Sequence, residues 1–189
     1  MFILVRHAHA GDKRQWHGED ADRPLSERGR QQAEGLAHNL SGLATPRLIS
    51  SHYVRCQQTL RPLAARSFRT IETSRLLTPG ARPAELDEYL RDPALEGAVL
   101  CTHGETLAAL IRRWRQRSGM TFSFDGPPAE HPLLGKNATE KGAAWIVVDD
   151  ETGRSAHYLR PLHVGPVLGP GSERLAEPSP RQAVVRSRR

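Results

Sequence analysis

Three short stretches of this 189-residue chain together supply permanent cations and imidazoles that suit an anion and chemistry on it. Arg6 and His7 adjoin at the end of the first apolar run, Met1 to Val5. Ser50 and Ser51 close a second short run and lead to Arg55. Thr102, His103 and Gly104 close a third. Arg6 and Arg55 carry planar guanidinium forks that match phosphate oxygens bidentately. His103 supplies a further cationic or hydrogen-bonding group, and a helix starting after it turns its N-terminal amides toward the same anion. A neutral imidazole at His7, in line with a leaving group, is a nucleophile for phosphorus. The arginines would stabilise charge on the equatorial oxygens, and water would then hydrolyse the phosphohistidine. No metal or other cofactor is required, since the arginines already neutralise the phosphoryl group.

These groups must be positioned by the elements around them, and the pattern alternates strand and helix. Strands are predicted over Met1 to Val5, Leu48 to Ser50, Thr70 to Thr73, Ala98 to Cys101 and Ala143 to Val148, with Ser155 to Leu159 pairing back as a hairpin. Helices are predicted from a Ser26 cap to about Ser41, from a Ser51 cap through Cys56, Leu60, Leu63 and Ala64, from Pro83 to about Arg91, and from Gly104 to about Gln116. Ala10 to Arg23 reads as a long polar loop beside the site. Residues 117–140 read as loop-rich, with Pro127, Pro128 and Pro132. The expected fold is α/β, a three-layer sandwich with a mainly parallel central sheet and helices on both faces. In such a sheet ligands bind at the carboxyl ends of the strands, where all three stretches fall.

Composition narrows the partners. Of 27 basic residues 24 are arginine, against 21 acidic residues, giving a net charge of +6. Half of that excess lies beyond Gly165, so the body is only mildly basic, which suits a small anionic substrate and argues against a nucleic-acid groove spread over the fold. Residues 1–164 read as one domain and residues 165–189 as a disordered basic tail rich in Pro and Gly. No apolar stretch reaches transmembrane length and Arg6 interrupts the first apolar run, so no membrane association and a cytoplasmic location are expected. Cys56 and Cys101 form no disulfide framework or zinc spacing and read as small buried residues.

Four blocks carry a resemblance. Val5-Arg6-His7-Ala8, the run Arg23 to Ala33 (opening Arg-Pro-Leu-Ser), the run Ser50 to Leu60, and Thr102-His103-Gly104-Glu105-Thr106-Leu107 resemble, in order, the histidine phosphatase (phosphoglycerate-mutase-like) superfamily. The resemblance implies His7 as the phosphorylated nucleophile and Arg6, Arg55 and His103 as the phosphate pocket. Within the superfamily the chain looks most like the SixA-type phosphohistidine phosphatases. Lys141-Gly142-Ala143-Ala144-Trp145 also resembles the histidine-phosphatase domain of bacterial Nudix fusion proteins acting on nucleotide polyphosphates. The implied substrate is a phosphohistidine protein or a phosphorylated small molecule such as a nucleotide.

One departure from the pattern concerns the acid. Many members carry a carboxylate proton donor after the third strand, where this chain reads Leu76-Leu77-Thr78-Pro79-Gly80 and offers none before Glu85. Glu85 or Glu105 is left as the candidate acid. Poor alkoxide leaving groups need protonation, so phosphoramidates and phosphoanhydrides are the better fit. His9, Trp16 and Glu105 are candidate substrate contacts, although His9 and Trp16 also read as ordinary loop residues. Two rival functions stand beside a phosphatase: a metal-dependent hydrolase using His7 and His9, and a non-catalytic domain that binds a phosphorylated partner.

Overall fold

Strand β1 (Phe2–Arg6) is the centre about which the other elements assemble in the computed structural model, which describes residues 1–117, 119–124, 139–150 and 153–161. It is followed by α1 (Glu27–Leu40), β2 (Leu48–Ser50), α2 (Val54–Ser67), β3 (Ile71–Thr73), α3 (Pro83–Tyr89), β4 (Val99–Thr102), α4 (Gly104–Arg115), β5 (Met120–Phe124), β6 (Ala144–Asp150) and β7 (Gly153–Leu159). The seven strands form one sheet in the order β3-β2-β4-β1-β6-β7-β5. Pairings β1–β4, β4–β2, β2–β3 and β5–β7 are parallel, while β6 runs antiparallel to both neighbours. The expected α/β architecture with a mainly parallel sheet is therefore present.

Side chains alternate across the sheet and so build two cores. Ile3, Val5, Val99 and Cys101 pack on Leu36, Leu40, Leu60 and Leu63 of α1 and α2. Leu4, Leu100, Trp145 and Val147 pack on Leu86 of α3 and on Leu107, Leu110, Ile111 and Trp114 of α4. Burial on both faces explains why the first strand is apolar at successive positions. Ser26 caps α1 as expected, its hydroxyl accepting from the Gly29 amide at 3.2 Å. Gly29 has to be glycine, because a Cβ there would lie 1.9 Å from the His9 carbonyl oxygen.

Two expectations are corrected. Ser51 does not cap α2; that helix begins at Val54 with Tyr53 at its N-cap, and Ser51 is fully buried beside His103. Part of the region read as loop forms β5, whose Met120, Phe122 and Phe124 pack on the Trp145 side of the sheet. The rest of the proline-rich stretch, residues 125–138, and the tail 165–189 lie outside the described residues.

Candidate active site

The parallel register gathers the three stretches. Arg6 pairs with Thr102 across β1 and β4, and Ser50 pairs with Cys101 across β2 and β4. Backbone bonds continue one residue further, from the His7 amide to the Thr102 carbonyl at 2.9 Å and from the Ser51 amide to the Cys101 carbonyl at 3.0 Å. His7, Ser51 and His103 are thus delivered to one edge of the sheet. Helix α2 adds Arg55. Its carbonyl accepts from the Thr59 hydroxyl at 2.7 Å, and that hydroxyl accepts from the Ala8 amide at 3.0 Å.

Hydrogen bonds fix the state of both imidazoles. His7 Nδ1 lies 2.8 Å from the Ala8 carbonyl oxygen, which can only accept, so Nδ1 carries the proton. Nε2 then holds a lone pair, and Arg55 Nε donates to it at 3.3 Å. Burial pushes the His7 pKa down to about 3 against the bond to Ala8, with the charges of Arg55, Arg6 and Lys141 adding to the fall. Arg55 Nη2 stands 3.4 Å from His103 Nδ1, so His103 is protonated on Nε2 and donates to Ser51 Oγ at 3.0 Å. Burial again leads, followed by His7 and Arg55, in lowering His103 to about 2. His103 is a neutral hydrogen-bonding group here, the second of the two forms the sequence allowed. The rings meet edge to face with centroids 5.2 Å apart.

Arg6 lies against the start of α4. Its Nη1 donates to the Thr139 carbonyl, while its buried Nε has no hydrogen-bond partner among the described residues. A Cβ on Gly104 would come within 2.6 Å of Arg6 Cζ, so only glycine lets the guanidinium rest on this helix end. Burial lowers the Arg6 pKa, and the nearby Glu105 charge works against that shift.

Two contributors had not been singled out. Asp20, on a single-turn helix in the loop after β1, accepts from Arg55 Nη2 at 3.1 Å through Oδ2, and its carbonyl accepts from Arg55 Nη1 at 2.5 Å. It also pairs with Arg23 at 3.0 Å. Burial raises the Asp20 carboxyl, but the Arg23 hydrogen bond and the charges of Arg55, Arg23 and Lys13 bring it below its ordinary value. Tyr53 packs its ring edge to face on His103, with centroids 4.7 Å apart, and lies 4.6 Å below the Arg55 guanidinium. Tyr53 stands inside the Ser50 to Leu60 block; Asp20 had no sequence signal beyond its place in a polar loop.

The remaining candidates are spread around this centre. Glu105 is exposed on the first turn of α4 beside Arg6. Glu85 sits on α3 and pairs with Arg82 at the surface; no bond among the described residues joins it to His7 or His103. His9 Nδ1 accepts from the Gly11 amide at 3.3 Å and lies 2.7 Å from the Ser26 hydroxyl. Trp16 is part exposed, donates from its indole to the Glu19 carbonyl at 2.9 Å, and lines a cavity of about 220 Å³ with Arg23 and Pro24. Among the described residues no group of three or more His, Cys, Asp or Glu side chains is arranged to hold a metal, and no helix is long and apolar enough to cross a membrane.

This geometry has relatives. Residues 2–78 match the Histidine phosphatase superfamily (branch 1). An 8-oxo-(d)GTP phosphatase of Mycolicibacterium smegmatis is 32% identical over 166 residues, covering 84% of this chain and 48% of that protein. The chain thus spans about half the length of this relative. The protein histidine phosphatase SixA complexed with tungstate superposes with a TM-score of 0.63 at 20% identity, over 85% of this chain and 96% of SixA. Bacillus stearothermophilus YhfR superposes with a TM-score of 0.61 at 17% identity, over 81% of this chain and 93% of its own. The two structural likenesses establish the fold, and the family match over residues 2–78 takes in the first three of the four blocks.

Proposed function

We propose, on the premise that residues 2–78 place this chain in the histidine phosphatase superfamily, that it is a phosphatase working through a phosphohistidine on His7. The observation that carries the proposal is the tautomer of His7. Its proton is held at Nδ1 by Ala8, so the Nε2 lone pair stands ready beside Arg55 at the strand edge. When a phosphate monoester or phosphoramidate enters, its oxygens take up Arg55 and the unpartnered Nε of Arg6. The Nε2 lone pair forms an N–P bond as the bond from phosphorus to the leaving group breaks, its electron pair departing with the leaving group. Water then attacks phosphorus, releases inorganic phosphate and returns the pair to Nε2. Arg6, Arg55, the His103–Ser51 pair and the first amides of α4 hold the charge through both steps.

Phosphohistidine on a protein and a nucleotide or other small phosphorylated metabolite are the substrate classes supported. The fold shared with SixA speaks for the first, and the 8-oxo-(d)GTP phosphatase relative for the second. A burst-quench experiment with ³²P-labelled substrate tests the intermediate. The expected result is an alkali-stable, acid-labile label on the protein, absent in His7→Ala, with steady turnover of p-nitrophenyl phosphate in EDTA. Activity lost to EDTA and restored by a divalent ion would move the reading to a metal hydrolase using His7 and His9. Phosphate binding without turnover would make the chain a non-catalytic phosphate-binding domain.

A further inference from the structure

We infer that Lys141, Arg28 and His9 form a second anion subsite beside the His7 pocket, shaped for the next phosphate of a polyphosphate chain such as a nucleoside di- or triphosphate. Together with Gln32, Glu140 and Pro161 they line a cavity of about 230 Å³. The cavity adjoins the transfer site through the backbone. The Gly142 amide donates to the Arg6 carbonyl at 3.2 Å, and the Arg6 amide donates to the Ala143 carbonyl at 3.0 Å, so Lys141 enters directly alongside β1. Gly142 makes the turn at φ +82°, against Gln32. The Gln32 side-chain oxygen in turn accepts from the His9 amide at 2.8 Å.

The charges there are not explained by the fold. Lys141 and Arg28 make no ion pair among the described residues, although Glu140 shares the cavity. Burial, and then Arg6, Arg23, Arg28 and Arg55, all disfavour the Lys141 cation. Arg28 lies in the first turn of α1, where the helix dipole disfavours a cation. His9 Nδ1 is taken up by the Gly11 amide and the Ser26 hydroxyl, so Nε2 is the ring nitrogen left for a ligand. Arg55 and Arg23 are already paired with Asp20, so Arg6, Lys141 and Arg28 are the side-chain cations around the two pockets that have no ion pair among the described residues.

A polyphosphate also fits the chemistry of the leaving group. When His7 Nε2 attacks a terminal phosphorus, the P–O bond to the bridging oxygen breaks and that oxygen keeps the electron pair. The departing phosphate needs neutralising charge more than a proton. Among the described residues no carboxylate bonds to either site histidine, whereas the Lys141 charge bears on His7 and Lys141 shares its cavity with Arg28.

The subsite rests on the His7 reading, so the test switches the chemistry off. Calorimetric titration of His7→Ala protein with inorganic triphosphate and with orthophosphate is the measurement. Triphosphate is expected to bind about tenfold or more tightly than orthophosphate, and Lys141→Ala or the exposed Arg28→Ala, each added to that background, to reduce the preference to about threefold or less. Equal affinity for the two anions, or a preference that survives both substitutions, would overturn the subsite. Absence of turnover in the wild-type protein would strike the phosphatase reading and leave this binding measurement standing.

Discussion

Helix α4 carries a cluster of arginines at each end, and the two ends are wired differently. Near its C-terminus, Asp87 is 1% exposed and saturated. Trp114 Nε1 donates to it at 2.7 Å and Arg113 Nε at 3.1 Å, while Arg117 pairs with it at 2.8 Å and Arg154 at 3.5 Å. Burial raises the Asp87 carboxyl, but the bonds from Trp114 and Arg113 and the charges of Arg117 and Arg91 hold it below its ordinary value. Cations at this end also suit the helix dipole. At the N-terminus the signs are reversed. Arg6 sits on the positive end of the dipole with an Nε that has no partner among the described residues, beside histidines kept neutral. A cluster built on a buried carboxylate holds the fold together, since even Arg154 Nη1, which has no hydrogen bond, lies 3.5 Å from Asp87; Arg6, with no carboxylate paired to it among the described residues, is the end open to an anion.

The sharpest way to break this contrast is to remove one group from each end. His7→Ala is expected to lower kcat by about 10⁵-fold while the chain stays folded, since a nucleophile has no substitute. Asp87→Ala leaves the buried Trp114 indole without its acceptor and Arg113 and Arg117 without their carboxylate, while Arg154 keeps Asp149, and is expected to cost about 1–3 kcal/mol of stability, read in a urea melt, with kcat per folded molecule retained. A melt unchanged by Asp87→Ala, or activity surviving in His7→Ala, would erase the distinction.

Acid separates the ends next. His7 and His103 are held near 3 and 2, below the ordinary value of 6.5. The unfolded chain therefore binds protons that the folded one refuses, and stability rises with pH up to about 6.5 and is lost as pH falls below it. The slope is about 1.4 kcal/mol per pH unit for each histidine in that window. Asp87, lowered from 3.8, contributes stability that is lost only below that value. Urea melts from pH 7 to 4 should show the histidine slope in the wild type and roughly half of it in His7→Ala. Equal slopes would mean that His7 is not buried neutral.

How much of this was legible in the sequence differs between the two ends. Arg6, His7, Arg55 and His103 could be placed because each adjoins a strand end, and parallel pairing brings strand ends together whatever the intervening sequence. The cap expected at Ser51 rests on a local signal, serine before a helix, whereas its burial against His103 is tertiary. Met120, Phe122 and Phe124 do alternate with Thr121 and Ser123, but nearby prolines drew the whole stretch toward loop. Asp20 and Asp87 were invisible for a common reason. Each is a carboxylate whose meaning lies in arginines 26 or more residues away, Arg55 for the first and Arg113 for the second, and no periodicity encodes such a pair.

Smaller effects probe how tightly the open end is built. Gly104→Ala puts a methyl group within 2.6 Å of Arg6 Cζ, which has the Thr139 carbonyl on one side and the helix on the other. The guanidinium must move, and kcat/KM is expected to fall about 10- to 100-fold, as misplacing a charge-stabilising group does. Thermal stability should change by no more than about 1–2 kcal/mol, since the same methyl favours the helix. A purely structural role would give the opposite split, with a large stability loss and kcat/KM per folded molecule intact.

The mildest case is Asp20, whose carboxylate and carbonyl occupy both terminal nitrogens of Arg55. A substrate phosphoryl group needs at least one of those nitrogens, so the carboxylate competes with substrate even as it orients the guanidinium. Asp20→Asn keeps a side-chain oxygen for Arg55 Nη2 but removes the negative charge. Competition then weakens while the geometry persists, and the expected outcome is a KM for p-nitrophenyl phosphate lowered about two- to fivefold at nearly constant kcat. Asp20→Ala also removes the orienting contact and is expected to lower kcat by a similar factor. If both variants instead raise KM and spare kcat, Asp20 contributes to substrate binding through a route other than Arg55, and the Arg55 fork is open to the anion without its carboxylate partner having to yield.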